Sequence, residues 1–396
     1  MANIFQEIAP KILSQALLGL RENAIMPRLV NSSYSSDAAE KGQSITIPVP
    51  TKMATNDVVP GAYSQAAPNL QIDTVNLPLN YWKESAFSLS DAESMTIMDG
   101  ILSMQVKEAA RAIANNIDVS LINLFQGSYN MVGIPGTTPF PQGNQTATEA
   151  IICRKLLNNN LALLTDRRLV VNADAEANAI NLPAFQYYLN SGTTETMSEG
   201  ELGRKFGFDW YLDQNLPTFA SGTLAGVIVT AAIPTSVYTA DPSNPQLRNP
   251  RTINTITISG ATNGTTVKIG DVFTVAGDNQ TYVATNASTI TSGVASITFS
   301  PAPKVFWAAG STLTIKANRA INLAFHRDAL ALAVRPLSEA SISAELGAKS
   351  MTMVDPITGI PLRLQVRLEF NQVRYALDCL WGVALVRPEH LVVLAG

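Results

Sequence analysis

The spacing of apolar positions changes period several times along the chain, and each change predicts a different element. Phe5, Ile8, Ile12, Leu13, Ala16, Leu17 and Leu20 recur at three- and four-residue intervals, which predicts an amphipathic helix bent or started at Pro10. Such a stripe is expected to behave as an arm in need of a partner surface. Residues 28–42 are polar and Ser-rich and read as a loop or extended linker. From Gly42 the period is two: Ile45, Ile47 and Val49 alternate with polar or proline positions, and Val75, Leu77, Leu79 and Tyr81 alternate again. Two strands are predicted, framing a connection over residues 51–69 that holds Lys52, Asp57, Pro60, Gly61 and Pro68 and has no periodic apolar set. A two-stranded ribbon is marginal alone in water, so another surface, which could belong to another subunit, is expected to support it.

Residues 99–126 carry Leu102, Val106, Ala109, Ile113, Ile117, Leu121 and Leu124 on one face and predict a long strut helix ended by Gly127. A second helix is expected over 146–164, then a short buried strand at Leu169, Val170 and Val171, then a helix opened by the acids Asp174 and Glu176. Between Thr218 and Ala320 the composition shifts to Thr, Ser, Gly, Asn and Val, and Glu is absent from Glu201 until Glu339. ITISG, VKIGDVFTVAG, TYVAT, ASITFSP and STLTIKA read there as short strands of an inserted barrel or sandwich. Beyond it, 321–334 reads as mixed structure, and 351–366 as a hairpin turned by Asp355, Pro356, Ile357, Thr358 and Gly359. The closing YALDCLWGVALVRPEHLVVL reads as a buried strand pair broken at Arg387-Pro388.

Composition narrows the chemistry more than it names it. With 396 residues, 46% hydrophobic and 15% charged, the chain is globular, is expected to hold two or three domains, and buries a sizeable core. A net charge of -4 argues against affinity built on phosphate neutralisation. Cys153 and Cys379 lack CxxC spacing and read as core residues, and the N-terminus lacks a basic n-region, so neither a disulfide framework nor a signal peptide is expected. No apolar run approaches the roughly 20 residues a membrane span needs. His326 and His390 stand outside any metal-ligand spacing, and Asp174 and Glu176 read as helix N-terminal acids. The run Gly200 to Gly207 lacks the Gly-Lys-Ser/Thr ending of a phosphate-binding loop and reads as turns. No GxSxG elbow or dinucleotide-type turn is present. A glycosidase needs only two carboxylates placed by tertiary structure, so that reading survives as a lesser alternative. No catalytic, metal or cofactor-binding residue is assigned.

Three strings carry a resemblance. EGELGRKFGFDWYLDQNLP, from Glu199 to Pro217, is similar to a Gly-rich segment that precedes an insertion in short-tailed phage coat proteins. NLAFHRDALALAVRPL, from Asn322 to Leu337, looks like the segment after the insertion, and LDCLWGVALVRPEHLVVL resembles the family's C-terminal LWG and RPE ending. In these strings and in the order of its elements the chain resembles the major capsid (coat) proteins of tailed bacteriophages. The resemblance implies an α+β Hong Kong 97-like capsid fold with an inserted all-β barrel-like domain. It implies an N-terminal arm over 1–39 and an E-loop over 40–86. A peripheral domain would take 87–127 and 347–370, with its spine helix at 99–126. An axial domain would take 128–217, 321–346 and 371–396, leaving the inserted domain at 218–320.

The function implied is a structural shell protein, not an enzyme, that self-assembles as pentamers and hexamers of an icosahedral virion in the host cytoplasm. The partners implied are a separate scaffolding protein, because little chain precedes the first E-loop strand, a portal protein, and packaged double-stranded DNA held by weak non-specific contact; no membrane is involved. Candidate inter-subunit contacts are Phe5, Ile8 and Ile12 on the arm, Lys52, Asp57 and Val58 on the loop, and Asp355 and Thr358 on the late hairpin. Some family members cross-link an E-loop lysine to a neighbouring asparagine. Lys52 is the counterpart by position, has no identified acceptor, and is expected to stay uncross-linked. The rival reading is a tail, fibre or surface-layer protein, suggested by the Thr- and Gly-rich segment; it expects β-structure throughout and internal repeats.

Overall fold

The computed structural model describes residues 2–34, 44–49, 73–90, 99–141, 146–186, 200, 202–233, 254–303, 305–337 and 348–396. Helix α1 (Ala2–Asn23) and the single turn α2 (Met26–Leu29) precede strands β1 (Ser44–Val49), β2 (Asp73–Pro78) and β3 (Tyr81–Ser90). Helix α3 (Asp99–Ile122) continues in a 3-10 turn to Gly127 and is followed by β4 (Asn130–Val132). Next come α4 (Thr148–Asn159), β5 (Arg167–Val171), α5 (Ala173–Ile180) and α6 (Pro183–Gln186), then β6 (Arg204–Lys205), β7 (Phe208–Leu212) and β8 (Thr218–Phe219). In the segment that follows, the elements among the described residues are strands: β9 (Val227–Val229), β10 (Asn254–Ser259), β11 (Thr266–Val267), β12 (Val272–Val275), β13 (Tyr282–Ala284), β14 (Ser288–Thr289), β15 (Val294–Ser300) and β16 (Thr312–Ile315). The chain ends through β17 (Arg319–His326), β18 (Leu330–Arg335), β19 (Ala348–Val354), β20 (Pro361–Glu369), β21 (Gln372–Leu385) and β22 (Leu391–Ala395).

The architecture is α+β. A seven-stranded mixed sheet has the order β4-β22-β17-β5-β7-β6, with β8 paired to β17. Its central strands are apolar on both sides. Leu169, Val171, Ala324, Val392 and Leu394 face the layer of α4, α5 and α6, while Val170, Leu323, Phe325, Leu391 and Val393 face the core that contains α1 and α3. Burial of both faces is why these segments read as unbroken apolar runs and not as alternation. It also explains why 321–334, expected to be mixed, is two strands, β17 and β18, joined by a single 3-10 turn at Arg327–Ala329.

The second sheet has the order β18-β21-β20-β19, with β3 paired to β21. The closing segment corrects the expected strand pair: β21 lies in this sheet, whereas β22 lies in the other, antiparallel to β17 and parallel to β4. The cause is the 3-10 turn at Pro388–His390, where proline cannot donate to a ladder, combined with the length of β21, which pairs β20 and β3 over its first part and β18 over its last.

Two expected partner-seeking elements are covered by the chain itself. On α1, Ile12, Leu13, Ala16, Leu17 and Leu20 are buried, and the helix packs on α3, β19 and β20. Helix α3, about 36 Å long at 1.5 Å per residue, supplies Val106, Ala109, Ala110, Ile113 and Ile117 along that contact. The stripe from Ile12 onward is therefore covered within the subunit. The ribbon β1–β2 is antiparallel with Val49 opposite Asp73, and Ile45, Ile47, Val49, Leu77 and Leu79 pack on Ala331, Ala333, Ala384 and Val386.

Gly382 makes that seating possible. A Cβ there would sit 2.3 Å from the Pro78 carbonyl oxygen and 2.8 Å from Leu77. Replacing Gly382 with Ala is expected to destabilise the chain by about 1–3 kcal/mol through overpacking, read as a lowered urea midpoint; an unchanged midpoint would contradict the seating.

The strands from β9 to β16 include a closed barrel of order β10-β15-β13-β12-β16-β9, filled by Val227, Ile256, Ile258, Phe273, Tyr282, Ile297, Phe299, Trp307 and Leu313. The expected all-β insertion is thus a barrel, entered after β8 and left into β17, two strands that pair with each other.

Candidate interaction surfaces

The titratable and Gly-rich positions singled out in the sequence have definite places in the fold. Asn172 caps α5 by accepting from the Ala175 N–H at 3.0 Å, and Asp174 and Glu176 sit in that helix's first turn, at its positive end. His326 and His390 are both buried and meet edge to face, with ring centroids 6.1 Å apart. The His326 Nδ1 accepts from the Asp328 N–H at 3.2 Å, and burial lowers its pKa, which keeps the ring neutral. The two rings brace the 3-10 turns that end β17 and open β22, a pairing that nothing in their sequence positions signals. In the Gly-rich segment, Phe206 and Gly207 both take positive φ, 55° and 83°, and form the two-residue turn between β6 and β7. Cys153 and Cys379 are fully buried free thiols, and burial raises their pKa values.

The barrel is braced at its root. Arg319 is 1% exposed, donates Nη2 to the Gly270 carbonyl at 2.9 Å, and lies 4.8 Å from the Phe219 ring centroid. Asp271 accepts from the Gly222 and Lys268 N–H groups, and its charge offsets part of the desolvation that lowers the Arg319 pKa. Tyr129, Val272 and Val283 form a small apolar cluster across the same junction, and the Thr281 hydroxyl donates to the Tyr129 carbonyl.

The sheet of β3, β18, β19, β20 and β21 presents one polar face. Arg363 and Asp378 are register partners on β20 and β21 and bond bidentately, Nε to Oδ1 at 3.0 Å and Nη2 to Oδ2 at 2.5 Å. Trp82 on β3 donates Nε1 to the same carboxylate at 3.1 Å while remaining 44% exposed. Arg374 pairs with Glu84 at 2.8 Å beside them, bordering a cavity of 130 Å³ lined also by Gln365, Arg367 and Ala376. On the opposite face, Trp381 stacks on Tyr81 at 5.8 Å and donates to the Ser120 hydroxyl on α3 at 3.0 Å. This is the physical content of the LWG string: a buried tryptophan beside a glycine that admits the ribbon.

The candidate contacts distribute unevenly. Phe5 and Ile8 lie on α1, with side chains outside the described ones, and Ile12 is buried within the subunit. Lys52, Asp57 and Val58 lie outside the described residues. Asp355 and Thr358 are buried in their own turn, where the Asp355 carboxylate accepts from the Thr358 N–H at 2.9 Å and hydroxyl at 2.6 Å. They shape the turn, and its exposed apolar residue is Ile357.

Sequence reasoning missed other exposed apolar positions. Phe370 is 92% exposed beside Leu368 at the tip of the β20–β21 hairpin. Leu161, Leu163 and Leu164 are exposed on the loop between α4 and β5, which the buried Arg167 braces by donating to the carbonyls of Leu163 at 2.6 Å and Ala162 at 2.7 Å. A run of leucines just beyond a helix end was the available signal.

No protein-family model and no curated protein matches the chain. Solved structures do. A structure from Mycobacterium phage Che8 aligns with a TM-score of 0.53 at 13% identity, covering 94% of this chain and 91% of that one. The capsid structure of the cyanophage P-SCSP1u aligns with a TM-score of 0.51 at 11% identity, covering 94% of this chain and 88% of that one. Over nearly its whole length, then, this chain has the fold seen in the P-SCSP1u capsid structure.

Proposed function

We propose that this chain is the major capsid protein of a tailed bacteriophage, a structural protein that self-assembles into the icosahedral shell enclosing the genome. The observation that carries the reading is the fold shared with the P-SCSP1u capsid structure across 94% of the chain. The arm 1–39, E-loop 40–86, peripheral parts 87–127 and 347–370, axial parts 128–217, 321–346 and 371–396, and inserted domain 218–320 are the division this reading assigns. The exposed apolar positions Ile357, Leu368, Phe370, Leu161, Leu163 and Leu164 support lateral association, because repeated copies would cover them many times over.

Pentamers and hexamers of one chain, a separate scaffolding protein and a portal protein are the partners of such a shell. A net charge of -4 suits a wall that contains DNA without gripping it. Among the described residues no helix is long and apolar enough to cross a membrane. Sedimentation of the chain co-expressed with its neighbouring genes tests the reading. Fast-sedimenting closed particles are expected, and material that stays monomeric in every combination overturns it.

A further inference from the structure

Helix α4 carries an exposed apolar patch at each end. Ile151 and Ile152, near its start, are 53% and 38% exposed, and Leu161, Leu163 and Leu164, just beyond its last turn, are 53%, 65% and 62% exposed. The helix between them is about 18 Å long and shows Arg154 and Lys155 to solvent, so the two patches are separate. Its other face, with Ala150, Cys153 and Leu157, is buried in the subunit's own core.

The leucine loop is pinned in this outward form. Arg167, 1% exposed, holds the Leu163 and Ala162 carbonyls, the Ala162 N–H donates to the Leu157 carbonyl at 3.0 Å, and the Asn160 side chain donates to the Glu389 carbonyl at 2.8 Å. Leu161 takes a φ of 60°, left-handed backbone that leucine rarely adopts. A loop tied and strained in this way does not turn its leucines inward, so their cover comes from outside the subunit. Residues 156–165 carry no charge, which is the composition of an interface centre.

Size and placement point to the occupant. Three part-exposed leucines offer on the order of 200 Å² of apolar side chain, far below the roughly 800 Å² per partner of a stable pair. Such a contact holds only where it is repeated. A patch that met itself across a two-fold axis would leave the unlike patch at the other end of α4 uncovered. Copies related by rotation about one axis cover both, because the tail of each meets the head of the next and the ring closes.

We propose that neighbouring copies of this chain meet head to tail through helix α4, the leucine loop of one copy seated on Ile151 and Ile152 of the next. The contact rests on the shell reading of the fold and gives it a direction around each ring. Particles sedimented from cells that express the full chain with its neighbouring genes test it, for the wild type, Leu163→Asp, Ile151→Lys and the double variant. Each single variant should keep the wild-type urea midpoint, because both positions are exposed, and lose about tenfold or more in particle yield, because the contact fails at every repeat. The double variant should recover most of the yield, since the introduced acid of one copy then faces the introduced lysine of the next.

Leu164→Asp replaces Leu163→Asp should that chain fold poorly. Leu163→Asp assembling like the wild type overturns the proposal, because no copy would then cover the loop. Ile151→Lys assembling like the wild type overturns it too, because the leucines would then meet each other. So does a double variant that assembles no better than the single ones. A wild type without particles overturns the shell reading, and this contact with it.

Discussion

Replacing Asp378 with Asn is expected to cost about 3–5 kcal/mol, because it leaves the Arg363 cation in a site built around a carboxylate. The two side chains are 10% and 5% exposed and directly opposite in the β20–β21 register, so neither can turn to water without leaving the ladder. Trp82 closes the site from β3, donating to the carboxylate, with its ring centroid 5.9 Å from the guanidinium carbon. The double replacement Arg363→Met with Asp378→Leu should cost far less than the single one, since it removes both desolvated charges together. Urea denaturation of the three proteins at pH 7 measures this. A single variant within about 0.5 kcal/mol of the wild type, the range of an ordinary surface change, would mean the pair is solvated.

Deleting residues 52–68 should abolish closed particles while leaving a folded subunit. The described base of the ribbon explains why folding should survive: Val49 stands opposite Asp73, so Pro50, Thr51, Asn69, Leu70, Gln71 and Ile72 can close a short connection between ends that are already adjacent. The apolar face of the ribbon lies on β18 and β21 whatever its length. The deletion therefore removes loop and little core, and the urea midpoint should move by less than about 1 kcal/mol in stability. Particle yield by sedimentation is the readout. Normal particles from the deleted chain would show that the loop is dispensable for closure.

What could be read from the sequence was whatever local periodicity controls. The stripe of Val106, Ala109, Ile113, Ile117 and Leu121 marks α3 because a long helix against one core leaves a clean three-and-four pattern. The alternation of Ile45, Ile47 and Val49 marks β1 because only one of its faces is buried. The barrel strands are short and alternate for the same reason. Pairing between distant segments is not periodic. Nothing local says that β21 and β22, only a few residues apart, belong to different sheets, or that β17 is covered on both sides.

Side-chain partnerships were hidden in the same way. The meeting of His326 with His390 and of Arg363 with Asp378 each joins elements that tertiary packing brings together. The candidate contacts suffered from one further confusion. Asp355 and Thr358 are polar residues of an expected turn and look exposed in sequence, yet the turn consumes both side chains and leaves Ile357 outside.

The claim on which the rest depends is that many copies of this chain close into a shell. Electron cryomicroscopy of the co-expressed product measures it most directly. The account predicts closed icosahedral particles whose repeating density fits this fold, with pentamers at the vertices. Open tubes, fibres or dispersed single chains in place of closed particles would contradict it.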